Sequence, residues 1–386
     1  MQDQLQVNRL WEAVRLTSHE LVCEVDGSGV VSYVNDAAMD LLGRSPSELI
    51  GRSILAFVHP DDIRRLDGVV AECVAQRRGW RQVRLRAVRP DGTSLWLESS
   101  GVAHTDEGDR LLGFTATTRR LDTADARTAE LTLVRERIER ILDEDLLSTV
   151  WQPIFSLDHG SIVGVEALSR IKVDGLEYPP DQCFADAFAV GLGVQLEMRA
   201  IDTALAGARA FPEDIYVSVN LSPEAVAAGG LAPLLPGGAI PPERLVLELT
   251  EHVSIDNYDT VVDPLGDLRD AGVRLAVDDA GAGFASFRHV LRLKPDIIKL
   301  DQSITRGITD NPAQRALAAA LVLFTLEVGS MSITAEGVET AEDLSTVSTL
   351  GLDAAQGYHL GRPVGAGQID WEKQISDSWS LDSSRN

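Results

Sequence analysis

The chain has 386 residues, 44% hydrophobic and 24% charged, which is enough to bury a large core and predicts two domains. Its formal net charge of -24 argues against a nucleic-acid polymer or an anionic membrane surface as partner, because both would repel it. A small phosphate ligand remains compatible with this charge if metal ions neutralise it locally.

The three cysteines, Cys23, Cys73 and Cys183, are far apart and lack the spacing of metal ligands, so reduced thiols are predicted. The first residues lack the basic and apolar regions of a signal peptide. The longest apolar run, residues 316–326, is too short to cross a bilayer. These features predict a cytoplasmic protein that does not enter a membrane.

The first 120 residues are predicted to alternate between short helices and antiparallel strands. A helix is expected at residues 10–21, and the Asp-Gly-Ser-Gly turn within residues 21–35 indicates a β-hairpin. The remaining predicted elements are helices at 37–42, 46–50 and 62–77 and strands at 81–89, 94–103 and 110–118. His59-Pro-Asp-Asp62 precedes the longest helix, and we interpret His59 as a helix-capping neighbour rather than a ligand.

This order of elements resembles a PAS sensory domain. The resemblance rests on six short motifs spread over the segment: Asp26-Gly27, Val34-Asn35, Leu42-Gly43, Leu49-Ile50-Gly51, His59-Pro-Asp-Asp62 and Asp91-Gly92 followed by Trp96. It implies a sensor at residues 1–120 whose ligand the sequence leaves unknown. The long helix has no histidine to hold a haem, and the Asn-Cys-Arg motif of flavin photoreceptors is absent from the sequence.

Residues 121–147 contain no glycine or proline and predict a helical, coiled-coil-like signalling linker. Leu131, Val134, Ile138 and Ile141 follow three-four spacing, the seam of a helix that pairs with a copy of itself. This interpretation predicts a homodimer. The alternative is a helix packed on one of the chain's own domains.

Residues 148–376 alternate between strands and helices, which indicates an α/β fold with a mostly parallel sheet; residues 377–386 are expected to form a disordered tail. About eight strands in this length suit a (β/α)8 barrel. Polar residues lie at or near the predicted strand ends: Glu166, Asn220, Glu248, Asp278 with Asp279, Lys299 and Glu336. In a parallel barrel those ends share one face, and so many carboxylates there favour Mg²⁺ or Mn²⁺.

The same segment resembles the EAL family of cyclic-di-GMP phosphodiesterases, which have a barrel with an antiparallel first strand. The matching motifs follow in the family's order: Trp151-Gln-Pro-Ile154, Glu166-Ala-Leu-Ser-Arg170, Ser218-Val-Asn-Leu-Ser222, Glu248-Leu-Thr-Glu251, Asp278-Asp279, Lys299-Leu-Asp301, Glu336-Gly-Val-Glu339 and Gln356-Gly-Tyr358.

The resemblance implies two metal ions per active site. Their implied ligands are Glu166, Asn220, Glu248, Asp278, Asp279 and Glu336. It implies that Lys299 and Gln356 orient the attacking water, with Glu336 as the other candidate for that role, and that Glu251 braces the loop after the acidic pair. The implied substrate-binding residues are Gln152, Leu168, Arg170 and Asp301.

The hypothesis is therefore a PAS-regulated enzyme that hydrolyses cyclic-di-GMP to linear pGpG. The alternative is a weak or inactive domain that acts as a cyclic-di-GMP receptor. There are two departures from the family pattern: residues 280–286 have lost an aromatic residue and a hydroxyl, and Phe188 stands where a glutamate is usual. The loop changes favour the alternative, whereas the complete set of implied metal ligands argues against it. No Gly-Gly-Asp-Glu-Phe motif is present, which argues against a cyclase.

Overall fold

In the computed structural model of the chain, the described residues are 18–76, 78–106, 110–229, 238–249, 258–280, 285–329 and 331–375; the side chains of residues 74, 259, 279 and 285–287 are outside this description. The chain divides into two compact units between Leu133 and Val134. The predicted tail at 377–386 lies outside the described residues. So does most of the helix predicted at 10–21, and Leu21, its expected last residue, instead begins a strand.

The first unit is a five-stranded antiparallel sheet with helices between its second and third strands. The sheet order is β2-β1-β5-β4-β3, with β1 Leu21–Asp26, β2 Val31–Val34, β3 Trp80–Val88, β4 Ser94–Thr105 and β5 Leu111–Arg120. The helices are α1 Ala37–Leu42, α2 Pro46–Leu49 and α3 Pro60–Gln76, and residues 54–57 form a 3-10 turn. The predicted hairpin, helices and strands are thus present at close to their expected bounds.

Polar side chains shape two of the turns in this unit. The Asp26 carboxylate accepts hydrogen bonds from the amides of Ser28 and Val30 and so shapes the hairpin turn. Nδ1 of His59 accepts the amide of Asp61 at 3.3 Å, which agrees with its interpretation as a capping neighbour. An apolar cavity of about 130 Å³ lies beside the core of the unit, lined by residues such as Leu97 and Phe114.

A single helix, α4 Thr123–Asp143, occupies most of the predicted linker, and the division between the units falls within it. Of the four seam positions, Val134, Ile138 and Ile141 are buried by the chain itself, the last two completely, and Leu131 is half-buried. Burial within one chain is what the alternative interpretation predicted, a helix packed on its own domain. These positions therefore do not form an exposed seam for a second copy.

The second unit is a closed barrel of eight strands. They are β6 Leu147–Ser156, β7 Ile162–Val173, β9 Tyr216–Leu221, β10 Leu245–Leu249, β11 Arg274–Ala280, β12 Ile297–Leu300, β13 Ser332–Ala335 and β14 Ala354–Ala355. The first barrel strand, β6, is antiparallel to both β7 and β14 and closes the barrel between them. A short strand, β8 Leu176–Tyr178, pairs with β7 outside the barrel.

Helices follow most of the barrel strands, as the sequence pattern predicts. They are α5 Pro180–Ala189, α6 Gly193–Gly207, α7 Pro223–Ala227, α8 Asp259–Asp270, α9 Ala285–Leu293, α10 Gln302–Thr305, α11 Pro312–Val328 and α12 Ala341–Thr349; residues 208–210, 242–244 and 366–368 are 3-10 turns. One apolar core joins the barrel interior to the helices around it. None of the helices in the described ranges combines the length and apolar character needed to span a bilayer.

Candidate active site

The polar residues predicted at strand ends come together at one end of the barrel. The parallel register places Glu166 of β7 beside Ser218, and Glu248 of β10 beside Asn220 of β9. Buried apolar residues precede these positions, and Asn220 and Glu248 lie next to last in their strands. Glu166 differs from the prediction, because β7 continues to Val173 and Glu166 lies within the strand rather than near its end.

Lys299 is the centre of this cluster. Its Nζ lies 2.7 Å from Glu248 Oε2 and 2.7 Å from Glu336 Oε1, 3.3 Å from Asp278 Oδ1 and 3.7 Å from Glu166 Oε2. The lysine side chain is only 2% exposed and that of Glu248 only 1%. Four carboxylates around one ammonium leave a buried surplus of negative charge.

The burial of this surplus shifts the proton affinities of the cluster. Burial raises the pKa of Glu248 to about 8, and the Lys299 ammonium opposes the shift. Burial also raises the pKa of Glu336 well above its usual range, again opposed by Lys299. For Lys299, burial by itself lowers the pKa, but the surrounding carboxylates outweigh it and hold the pKa well above its ordinary value. The cluster therefore favours any additional positive charge.

The amide of Gln356 contacts two of the carboxylates through its nitrogen, while its oxygen has no hydrogen-bond partner among the described residues. Its Nε2 donates to Glu166 Oε2 at 2.6 Å and lies 3.3 Å from Glu336 Oε1. Its Oε1 is buried and has no hydrogen-bond partner among the described residues. A buried acceptor of this kind is satisfied by a water molecule or a cation.

Glycines fix the turns that carry Glu336 and Gln356. Gly337 has φ +62°, and a Cβ there would lie 2.5 Å from the Gln302 Cβ. A Cβ at Gly357 would lie 2.2 Å from the backbone nitrogen and oxygen of Val338. Only glycine therefore allows these two segments to approach so closely, which explains the Glu-Gly and Gln-Gly pairs of the sequence.

The chemistry of the cluster fits divalent metal ions. Its oxygen donors are hard ligands, its negative charge exceeds that of its lysine, and the Gln356 acceptor is unsatisfied. In the described part of the chain no three His, Cys, Asp or Glu side chains are already spaced as ligands of a metal. Four of the carboxylates contact Lys299 instead. The Asp279 side chain and Glu251, two predicted site residues, lie outside the described residues.

Two cavities border the cluster, and they divide the predicted substrate-binding residues. A cavity of about 560 Å³ is lined by Leu168 and Arg170 together with Asn220 and Asp278. A second, of about 250 Å³, is lined by Gln152 and Asp301 together with Glu336 and Gln356. Asp301 also caps α10, since its carboxylate accepts the Ser303 amide at 2.9 Å. The larger volume suits a ligand of drug-like size.

The structure adds two residues that sequence reasoning missed. Ser218 is 1% exposed, and its hydroxyl donates to Glu248 Oε1, so it orients a carboxylate of the cluster. Glu197 of α6 lines the larger cavity, and its Oε2 accepts the Ser222 hydroxyl at 2.7 Å. Burial raises the pKa of Glu197 to about 7, with the Ser222 hydrogen bonds opposing the shift.

We expect Glu197→Gln to stabilise the protein above neutral pH. Since the folded pKa is about 7 and the usual value 4.5, the stability associated with Glu197 is present below pH 4.5 and lost as pH rises through 7. The loss amounts to roughly 3 kcal/mol. Urea unfolding at pH 5 and pH 8 should show a gain for Glu197→Gln at pH 8 only. The exposed Glu224→Gln is the control, and equal behaviour of the two variants would contradict the assignment.

One departure from the family pattern has a local explanation. Phe188 packs against Gly193, where a Cβ would lie 2.4 Å from the phenyl ring, so the bulky residue and the glycine accommodate each other. Phe188 is not among the residues that line either cavity bordering the cluster. The other departure, in residues 280–286, falls mostly outside the described residues; Ala280 itself is buried in the barrel core.

The fold and the site together define a two-domain protein, in which a domain with a five-stranded antiparallel sheet precedes a barrel with an acidic cluster. The sequence model of the EAL domain matches residues 135–363, and that of the PAS fold matches residues 9–121. The EAL match covers more than half of the chain, so the chain belongs to the EAL family and carries a PAS domain ahead of the EAL domain.

Relatives and solved structures agree with this assignment. The chain is 28% identical over 246 residues to "Signaling protein YkoW" of Bacillus subtilis (strain 168), which covers 62% of this chain and 30% of YkoW. It is 28% identical over 279 residues to "Probable cyclic di-GMP phosphodiesterase PdeA" of Escherichia coli (strain K12), covering 70% of this chain and 37% of PdeA. The chain thus spans only about a third of the length of these relatives.

A solved structure described as the PaMucR phosphodiesterase in complex with c-di-GMP matches the barrel. The TM-score is 0.56 and the identity 28%, and the match covers 61% of this chain and 99% of that one. The FimX EAL domain of Pseudomonas aeruginosa, also bound to c-di-GMP, matches with a TM-score of 0.56 over 62% of this chain and 99% of that chain; at 23% identity it supports the fold alone.

Proposed function

We propose that the protein is a metal-dependent phosphodiesterase that hydrolyses cyclic-di-GMP to linear pGpG. The observation that carries the proposal is the cluster of four carboxylates around Lys299, bordered by a cavity of about 560 Å³ that contains Arg170. The cluster requires extra cations, and the cavity offers a guanidinium for phosphate beside it. The similarity to relatives named as cyclic-di-GMP phosphodiesterases supports the choice of substrate.

The residues that would hold two Mg²⁺ or Mn²⁺ ions are those with oxygen donors at the strand ends. They are Glu166, Asn220, Glu248, Asp278, Asp279 and Glu336. Bound there, the ions supply activation of water and neutralisation of the phosphodiester charge. The chain's own contribution is to hold four of these donors, Glu166, Glu248, Asp278 and Glu336, close together through their contacts with Lys299 and Gln356.

Further side chains act on water and substrate. The unsatisfied Gln356 Oε1 accepts a hydrogen bond from the attacking water and so orients it. Lys299 places positive charge where negative charge develops on the phosphate. Leu168 and Arg170 bind the dinucleotide in the larger cavity, and Gln152 and Asp301 in the smaller one. Water oxygen adds to phosphorus, and the bond to the 3′ oxygen breaks, which leaves a 5′ phosphate on the linear product.

We place this enzyme in the cytoplasm as a homodimer regulated by its PAS domain. The domain order supports the regulation, because the sensor precedes the barrel and α4 runs from one unit into the other. The burial of Val134, Ile138 and Ile141 means that pairing of two copies relies on surfaces other than the predicted seam.

Turnover of cyclic-di-GMP by the full chain tests the proposal, with Glu166→Ala as the variant. Glu166 contacts Lys299 and Gln356, so its removal takes a donor from the cluster without altering the cavity residue Arg170. We expect pGpG from the wild type in Mg²⁺ or Mn²⁺ and none from Glu166→Ala. Equal turnover by both proteins would show that the cluster does not carry the reaction.

A further inference from the structure

We propose that Arg135 and Arg137 of α4 are positioning residues that hold the wall of the larger cavity in place and thereby set the affinity for nucleotide. The effect on nucleotide affinity rests on the proposed function, whereas the positioning of the cavity wall by the two arginines rests on the observed contacts alone. The cavity wall concerned is the α5–α6 hairpin, which is defined here as residues 180–207.

The hairpin supplies much of the cavity lining. Two helices contribute to it, α5 before the turn at Val190 and α6 after it. Their lining residues are Pro180, Asp181 and Phe184 from α5 and Glu197, Ala200, Ile201 and Ala204 from α6. A shift of the hairpin therefore changes the shape of the space that Arg170 also lines.

Helix α4 contacts both ends of α5. The Arg135 guanidinium donates to the carbonyl oxygen of Val190, at the carboxyl end of α5, where a positive charge also interacts favourably with the helix dipole. The Arg137 guanidinium lies 5.2 Å from the centre of the Tyr178 ring, just before α5 begins. Tyr178 in turn donates its hydroxyl to Asp186 within α5.

The hairpin also contacts the segment that follows α4. Arg199 of α6 forms an ion pair with Asp145. Because Val134, Ile138 and Ile141 of α4 are buried, these polar contacts connect the hairpin to a helix that is itself packed against the chain. Each contact is partly exposed and individually weak, so their joint effect is on the position and mobility of the wall rather than on overall stability.

Helix α4 begins in the first unit, where Trp96 Nε1 donates to the Glu130 carboxylate at 2.9 Å. The same helix thus receives a contact from the sensor sheet and makes contacts with the cavity wall. It gives the sensor a physical route to nucleotide binding that needs no second copy of the chain.

The helix also provides a matched control. Arg140 is two turns or less from the proposed residues and is 41% exposed, but it pairs with Glu144 and Asp174, which lie outside the hairpin. An Arg140→Ala variant removes the same charge and a similar side chain from α4. A change that appears on substitution of Arg135 and Arg137 but not in Arg140→Ala is therefore due to the lost contacts with the hairpin.

The experiment compares Arg135→Ala/Arg137→Ala, Tyr178→Phe and Arg140→Ala with the wild type in the full chain. The hydrogen-exchange rates of the backbone amides in residues 180–207 measure the mobility of the cavity wall. Steady-state kinetics with Mn²⁺ give KM and kcat, and titration with cyclic-di-GMP in the presence of Ca²⁺ gives Kd. We expect faster exchange in the double variant, with KM and Kd raised about threefold to tenfold and kcat within about twofold. Tyr178→Phe should show a smaller change in the same direction, and Arg140→Ala none.

Unchanged exchange in both the double variant and Tyr178→Phe would overturn the proposal, as would an equal effect of Arg140→Ala. Changed exchange with unchanged KM and Kd would overturn the link to nucleotide affinity. If the wild type neither binds nor hydrolyses cyclic-di-GMP, the proposed function fails, and the exchange data still decide whether α4 positions the hairpin.

Discussion

Lys299→Met is expected to lower the free energy of unfolding of the metal-free protein by about 3–5 kcal/mol, the usual cost of removing one partner from a buried ion pair. The variant keeps the length of the side chain but removes the ammonium that lies within 4.0 Å of Glu166, Glu248, Asp278 and Glu336, the only one to do so among the described residues. Urea unfolding in the presence of EDTA measures the loss. Addition of Mn²⁺ should restore part of it, because a cation compensates the same carboxylates.

The control is Lys172→Met, which removes a lysine that is 63% exposed and paired only at the surface with Glu177. We expect this control to change the stability by less than about 1 kcal/mol. If Lys299→Met were no less stable than the control, the carboxylates would not depend on Lys299, and the electrostatic description of the cluster would be wrong.

Glu248→Gln is expected to reduce the turnover of cyclic-di-GMP by about a thousandfold or more, since a carboxylate that neutralises a catalytic metal contributes several kcal/mol. Glutamine has nearly the same shape and retains an oxygen for the Ser218 hydroxyl, so the packing of this 1% exposed side chain is preserved. Only the charge is lost. Turnover and Mn²⁺ binding by calorimetry, measured on the same protein, should both decline.

Glu243→Gln provides the matched control, because Glu243 is exposed in the 3-10 turn just before β10. It should leave both turnover and Mn²⁺ binding unchanged. Retention of wild-type turnover by Glu248→Gln, within about tenfold, would remove Glu248 from the set of metal ligands.

The acidic cluster could be located from the sequence where a short apolar run leads into a polar residue near a strand end, as it does before Glu248 and Asp278. The runs before Glu248 and Asp278 are buried in the barrel core, and the fold then forces their ends together. The strand β14 Ala354–Ala355 was not predicted, because two alanines carry no strand pattern. It exists through its pairing with β13 and β6, which the local sequence does not contain.

Ser218 and Glu197 were missed for a different reason. Ser218 lies inside a strand, and only the register of β9 against β10 turns its hydroxyl toward Glu248. Glu197 is one polar residue in an amphipathic helix, where such residues are usually solvated. Its contact with Ser222 depends on how α6 packs beside β9.

Helix α4 shows that hydrophobic periodicity predicts an apolar face but not the surface that covers it. The spacing of Val134, Ile138 and Ile141 correctly predicted one apolar face. The same spacing suits pairing with a second copy and packing on the chain's own barrel, and only the tertiary structure distinguishes them. Here the chain itself buries that face.

The central claim is that the acidic cluster performs metal-dependent hydrolysis of cyclic-di-GMP. Its most direct test is the formation of pGpG by the purified full chain in Mg²⁺ or Mn²⁺, after removal of the metal with EDTA, and after its return. We predict product with metal, none without it, and recovery on re-addition. Tight binding of cyclic-di-GMP without product in either metal would contradict the claim and identify the barrel as a receptor.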